Sequence, residues 1–362
     1  MWQTRGHDRV YEQFQRAMER NRLSGSFLFI GPEGVGKRMF ATELAKAMLC
    51  LHNGERSMEP CGQCASCREI AKNSHPDFEY VCKPEEKSLM PLETLIGPPE
   101  HRNSSGLCHF LSIAPQFSAR KVAILDDADY LNAEGANALL KTLEEPSPRA
   151  IIILLGTSAA KQLPTIRSRC RIVRFDPLAV DTVAELLIEK KIVENPEDAQ
   201  MFAQASQGSM TIAADWARPG FWDFRARLLD LLGTFPFDAF DFSKSVAEFA
   251  ESVGKVSAVA KRAAIHCAMC VVLEFLSELN RYQCCQEKNV KFAARESGME
   301  QAIIRQSRTW RGTSDVLSAT MERTLQFEEE LYRNVNTGIM IDSWSNELAG
   351  AFNYGRIQPL RY

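Results

Sequence analysis

Ser26-Phe27-Leu28-Phe29-Ile30-Gly31-Pro32-Glu33-Gly34-Val35-Gly36-Lys37-Arg38 decides the fold of this chain. Ser26 to Ile30 is a short apolar run suited to a buried strand, and Gly31 to Lys37 matches G-x-x-x-x-G-K. After it, Phe40, Leu44 and Met48 recur at helical spacing as far as Leu49. Strand, glycine loop and helix is the order in which backbone N–H groups and a helix N-terminus converge on a β-phosphate, with the lysine reaching the β- and γ-phosphates. So short a pattern often arises by chance. The strand before it and the helix after it remove most chance matches, and they make Gly31, Gly34, Gly36 and Lys37 the candidate nucleotide loop.

One position of that loop departs from the chemistry. Where Ser or Thr would ligate Mg²⁺ the chain has Arg38, which has no lone pair for a cation and whose charge repels one. The partner motif is Val122-Ala123-Ile124-Leu125-Asp126-Asp127-Ala128-Asp129, four apolar residues running into acids at a strand end. Asp126 takes the place of the metal-binding carboxylate. Asp127 stands where a hydrolysing site would carry a glutamate to polarise water. The shorter side chain sets that base back by about 1 Å, and misplacement of that order costs ~10²-fold in rate. Two defects at one hydrolytic centre favour a nucleotide fold that does not turn over ATP. Whether ATP still binds is left open.

The next signal hangs on the end of the loop's helix. Cys50, Cys61, Cys64 and Cys67 are spaced C-x10-C-x2-C-x2-C, with the last three in a tight knuckle. Four thiolates around a tetrahedral zinc ion make a closed structural site. An iron–sulfur cluster is the rival that spacing alone does not exclude. Four unliganded buried thiols fit poorly in a segment carrying Asn53, Glu55, Arg56, Ser57 and Glu59. Cys82 and Cys108 read as bystanders, and Cys267 and Cys270 as small buried hydrophobes of a helix. Cys284 and Cys285 are adjacent, a geometry poorly suited to one metal.

Further out, residues 7–23 read as an amphipathic helix with Val10, Phe14 and Met18 along one stripe. Val122–Leu125, Ile151–Leu155 and Ile172–Phe175 read as buried strands, and Ala133–Glu145 as a helix stopped by Pro146. Strands alternating with helices predict an α/β parallel sheet over residues 1–176, with the cysteine module 50–67 inserted. Residues 177–218 read as a small helical unit broken at Asn195-Pro196 and Gln207-Gly208-Ser209, and residues 219–362 as wholly helical. Lys83 to Gly106, with Pro84, Pro91, Pro98 and Pro99, is expected to be the least regular stretch.

A chain of 362 residues is too long for one core, in keeping with those three parts. Net charge is −3, from 43 basic and 46 acidic side chains, so affinity for nucleic acid must come from a local patch or from partners. The polar start, Met1 to Val10, is unlike a secretory signal, and no continuous apolar run reaches the ~18–20 residues of a membrane helix. Eleven cysteines without an export signal point to thiols and metal, and to the cytoplasm.

Asn137-Ala138-Leu139-Leu140-Lys141-Thr142-Leu143-Glu144-Glu145-Pro146, then Leu163-Pro164-Thr165-Ile166 and Ser168-Arg169-Cys170, resemble the bacterial DNA polymerase III clamp loader, an AAA+ ATPase family. The resemblance covers about residues 7–217 with specific motifs, and includes the cysteine insertion. It implies an AAA+ sheet domain, a helical lid, a helical collar for oligomerisation, and a zinc ion. Arg38, Asp127 and Thr211, the last where motors carry a lid arginine, resemble the delta-prime kind of subunit more than the gamma/tau motors. That resemblance implies a part of the polymerase III holoenzyme without ATP turnover of its own. Its partners would be gamma/tau and delta subunits and, indirectly, the sliding clamp and primer-template DNA. Arg169 would be an arginine finger serving a neighbour's nucleotide. An active gamma/tau-type ATPase is the alternative. A zinc-dependent DNA-binding module is weaker, with only Arg56, Arg68 and Lys72 near the cluster.

Overall fold

The computed structural model describes residues 2–356 except 3, 21, 55, 85, 86, 88, 255–257, 295 and 332–335. It divides into two compact units, Met1–Val183 with Gln207–Thr211, and Ala184–Ser206 with Ile212–Tyr362.

Five strands of the first unit, β1 (Gly25–Ile30), β2 (Phe78–Val81), β3 (Lys121–Leu125), β4 (Ala150–Gly156) and β5 (Arg171–Arg174), form one sheet ordered β2-β3-β4-β1-β5. Every neighbouring pair is parallel, with Leu28 of β1 opposite Leu154 on one side and Ile172 on the other. The strands expected at 26–30, 122–125 and 151–155 are present and buried nearly throughout, as parallel strands covered on both faces must be. β5 is an edge strand whose Arg171 and Arg174 are exposed, which blunts the edge against pairing. β2 is an addition to the sequence reading. Phe-Glu-Tyr-Val at the other edge is half polar and too short for periodicity to betray it.

Alternation along β1 divides the core. Phe27 and Phe29 face α1 (Asp8–Glu19) and α2 (Lys37–Leu49), packing among Phe14, Phe40 and Phe175. Leu28 and Ile30 face the opposite layer. There α3 (Ala65–Ala71) takes no part; the cover comes from α4 (Leu92–Ile96), α5 (Gly106–Ser112) and α6 (Ala133–Glu144), through Leu95, Leu107, Leu111, Leu139 and Leu143. The stretch 83–106 is therefore more regular than its prolines suggest, with α4 and a 3-10 turn at Pro99–His101, while 85, 86 and 88 lie outside the described residues. Buried Asp77, before β2, accepts the backbone N–H groups of Gln116, Phe117 and Ser118 at 2.7 Å each. Its carboxylate also sits 3.8 Å from the buried Lys121 ammonium, so one ion pair fixes the loop that leads into β3. A short helix α7 (Pro164–Arg167) precedes β5.

α8 (Val180–Glu189) is divided between the units at Val183, and α10 (Met210–Trp216) at Thr211, with α9 (Pro196–Ala205) between them in the chain. The rest of the second unit is helical: α11 (Phe221–Leu232), α12 (Ala239–Gly254), α13 (Ala258–Glu287), α14 (Ser297–Ser307), α15 (Ser314–Leu331) and α16 (Thr337–Tyr354). By length and composition α13 is long and apolar enough to cross a bilayer. Ile265, Val272, Phe275 and Leu279 are fully buried, so it is the central helix of this unit. Buried Arg225 of α11 lies over Trp216 and Trp222 and pairs with Glu274 and Glu296 at 2.8 Å each.

Candidate functional site

β1 lies between the central strand β4 and the edge strand β5, so the loop after it opens at the carboxyl edge beside the end of β4, with the end of β3 one strand further on. A side chain at Gly31 would strike the Phe175 carbonyl, so only glycine lets the loop turn off β1 here. Gly34 has φ +74°, and a Cβ there would collide with the Ser209 hydroxyl and lie 2.9 Å from Thr211 Oγ1. Its carbonyl accepts the Met210 N–H at 3.0 Å. The segment 209–211 is thus built against the loop, and it places Thr211, the position expected to carry a lid arginine in a motor, beside Gly34. Buried His7 donates from Nε2 to the Val35 carbonyl at 2.7 Å, and burial lowers its pKa. Gly36 caps α2 in the left-handed region at φ 101°.

Lys37 and Asp126 come together as the sequence requires, but neither is free. The Lys37 ammonium donates to the Gly31 and Pro32 carbonyls at 2.6 and 2.7 Å. Burial lowers its pKa, against the nearby charges of Asp126, Glu33 and Asp129. Asp126 Oδ2 accepts Arg38 Nε at 2.7 Å and the Tyr80 hydroxyl at 2.8 Å, while Oδ1 accepts the Asp127 N–H at 2.9 Å. The Arg38 guanidinium also lies 5.3 Å from the Tyr80 ring centre. A cation therefore does sit on the carboxylate expected to bind metal, and it is a side chain.

Asp127 is held with φ 57°, its carboxylate accepting the Lys83 N–H at 3.2 Å. Burial, with the neighbouring Asp126 charge, raises its pKa. Sequence reasoning missed three participants. Tyr80 comes from the unrecognised β2. Asp129 accepts the Thr157 N–H at 2.8 Å and a hydrogen bond from the Gln162 amide, tying the end of β4 to the acidic turn. His7 carried no motif; its only signal was its place at the start of the helix stripe.

At the other end of α2 the four cysteines converge. Sγ of Cys50, Cys61, Cys64 and Cys67 all lie within 4.8 Å of one another, and every cysteine of the chain is a free thiol. A tetrahedral zinc with Zn–S of about 2.3 Å needs sulfurs about 3.8 Å apart, which this cluster fits after a small contraction. The N–H groups of Cys61, Cys64 and Cys67 point at sulfur, donating to Cys50, Cys61 and Cys64 at 3.3–3.4 Å, which is how thiolates are held. Donation from the Gln63 and Cys64 N–H groups lowers the pKa of Cys61. Ser66 ties the knuckle to the helix end by donating to the Leu49 carbonyl at 2.6 Å. Among the described residues, no other group of His, Cys, Asp and Glu could hold a metal ion.

The Ser168-Arg169-Cys170 segment comes after α7. Cys170 is buried, its thiol pushed up to about 12 by burial, and it anchors the segment in the core layer below α6. Arg169 lies at the surface beside the end of α6, whereas Arg167 is exposed on the short helix itself.

A parallel sheet ordered β2-β3-β4-β1-β5, with a glycine loop after β1 and an acidic turn after β3, has the arrangement of an AAA+ module. Residues 6–179 match the family model described as DNA polymerase III, delta subunit. A delta′ subunit of Bacillus subtilis is 31% identical over 223 residues, 62% of this chain and 63% of that protein. One from Pseudomonas aeruginosa is 37% identical over 145 residues, covering 40% and 41%. The tau subunit of Bacillus subtilis is 34% identical over 218 residues, covering 60% and 35%. The chain spans less than two thirds of the length of these relatives. The chain is thus similar to the clamp-loader subunits of DNA polymerase III, and the matches support a delta′ subunit among them.

Proposed function

We propose that this chain is the delta′-type subunit of a clamp loader, helping to place the sliding clamp on primed DNA without hydrolysing ATP at its own loop. The observation that carries this reading is Arg38 on Asp126 at 2.7 Å. Phosphoryl transfer at such a loop relies on Mg²⁺ bridging the phosphates. The guanidinium takes the carboxylate that would hold the ion and brings a repelling charge with it. Asp127, tied to the Lys83 backbone, is poorly placed as a base. The rival, an active gamma/tau-type ATPase, needs Asp126 unpaired and a longer acid at 127.

In this reading residues 1–176 are the AAA+ domain, 177–218 the lid and 219–362 the collar that joins gamma/tau and delta subunits in the cytoplasm. Sliding clamp and primer-template DNA are reached through the complex. Cys50, Cys61, Cys64 and Cys67 hold one zinc ion, a structural cross-link with no open position. Gly31, Gly34, Gly36, Lys37 and Asp126 form a degenerate nucleotide site. Arg169 acts in trans as an arginine finger, neutralising charge on the γ-phosphate held by the adjacent subunit, a role worth up to ~10³–10⁵ in rate where one finger serves one site.

The test is Arg169→Ala in a complex reconstituted with tau-type motors. It should assemble, yet lose part of its DNA- and clamp-stimulated ATPase activity and load clamps slowly, the loss being partial because other sites keep their own fingers. Arg167→Ala, equally basic and two residues away, should behave like the unaltered protein. Equal behaviour of the two variants, or failure of Arg169→Ala to assemble, contradicts the finger assignment.

A further inference from the structure

The motif Leu143-Glu144-Glu145-Pro146 at the end of α6 belongs to neither the nucleotide loop nor the cysteine knuckle, yet Glu144 touches Arg169. Arg169 Nε donates to Glu144 Oε1 at 2.6 Å, and Nη2 forms an ion pair with the same oxygen. Nη1 donates to the Thr165 carbonyl at 3.0 Å and to Ser168 Oγ at 3.2 Å. All three guanidinium nitrogens are thus engaged within the chain, and the charge is neutralised by one carboxylate. The two side chains keep 27% and 50% of their exposure, so the pair stands at the surface, open to exchange.

We propose that Glu144 is the resting counter-ion of Arg169, a positioning residue that holds the guanidinium until a neighbour's nucleotide displaces it. This rests on the reading of Arg169 as acting in trans. Carboxylate and phosphate offer a guanidinium the same kind of oxygen pair, so they compete for the same donors. A pair this exposed contributes little. That is enough to bias an idle arginine, and too little to resist a phosphate of higher charge. Glu144 therefore sets how far the finger is withdrawn when no stimulus closes the interface. Glu145, the next residue, is equally acidic and exposed, and it makes no such pair with Arg169 among the described contacts.

The experiment measures ATP turnover by the reconstituted complex, with and without primed DNA and clamp. The variants are Glu144→Gln, Glu145→Gln, Arg169→Ala and the double Glu144→Gln/Arg169→Ala. Glu144→Gln keeps the side chain's shape and should raise the unstimulated kcat about two- to fivefold, the equivalent of the lost surface pair. KM for ATP should stay the same, and the stimulated rate should change less. Glu145→Gln should match the unaltered protein, and the double variant should match Arg169→Ala alone. A Glu144→Gln rate that is unchanged or lower, or an effect of Glu144→Gln that persists without Arg169, overturns the proposal while leaving the finger in place. Normal activity of Arg169→Ala overturns both.

Discussion

Helix α2 carries a site at each end, and the two ends differ in kind. At its N-terminus the glycine loop has the backbone of a phosphate site, but Arg38 pairs with the carboxylate that would hold the metal. At its C-terminus the four thiols converge within 4.8 Å, with backbone N–H groups turned toward sulfur. In the first the acidic side chain is already paired within the chain; the second is a full donor set. The difference says what α2 is for in this chain. On the proposed function it is a strut between a loop that does not turn over nucleotide and a zinc-linked knuckle, and the reactive group of the unit is Arg169.

The contrast between the two ends fails most visibly if the knuckle holds no metal. Protein purified without chelator should contain one zinc ion per chain, and Cys64→Ser should contain close to none. Structural zinc in small fingers is bound with an apparent ~10–16 kcal/mol. Here Ser66 and the Glu59 contacts to Trp2 and Tyr11 also hold the knuckle. Loss of metal should therefore loosen residues 50–72 to hydrogen exchange and leave the sheet protected. Elemental analysis without zinc, or with zinc unchanged in Cys64→Ser, contradicts the donor set.

A smaller effect is expected at the loop end. If Tyr80 helps to hold the Arg38–Asp126 pair, Tyr80→Phe should lower stability by about 0.5–1.5 kcal/mol, the usual net worth of one hydrogen bond. Denaturant midpoints read this directly. An unchanged midpoint would mean that Asp126 does not depend on the phenol.

The smallest effect is in pH. Burial lowers the His7 pKa below 6.5, so the folded chain holds the neutral imidazole that donates to the Val35 carbonyl. The unfolded chain takes up a proton first as pH falls through 6.5. This contribution is therefore complete above that value and is lost toward the folded pKa. His7→Gln should flatten stability between about pH 7 and 5 relative to the unaltered protein. An identical slope would contradict it.

Much of the fold was legible. Phe27, Phe29, Leu28 and Ile30 announce a two-faced buried strand, and the glycine loop after them requires a helix next. The cysteine spacing announced its cluster. β2 escaped because an edge strand needs few apolar residues, and with it went Tyr80. The Arg38–Asp126 pair joins residues 88 apart in sequence, so the sequence could rule out Arg38 as a metal ligand without showing that it also occupies Asp126. The Arg169–Glu144 contact escaped for the same reason, since neither α6 nor α7 carries a sign of the other in its periodicity.

On the proposed function this chain serves a neighbour's nucleotide and not its own. The stimulated ATPase rate of one reconstituted complex, carrying either Lys37→Ala or Arg169→Ala in this subunit, separates the two possibilities in a single assay. The rate should be unchanged with Lys37→Ala and reduced with Arg169→Ala. A rate that falls with Lys37→Ala and holds with Arg169→Ala would mean that the subunit works through its own loop.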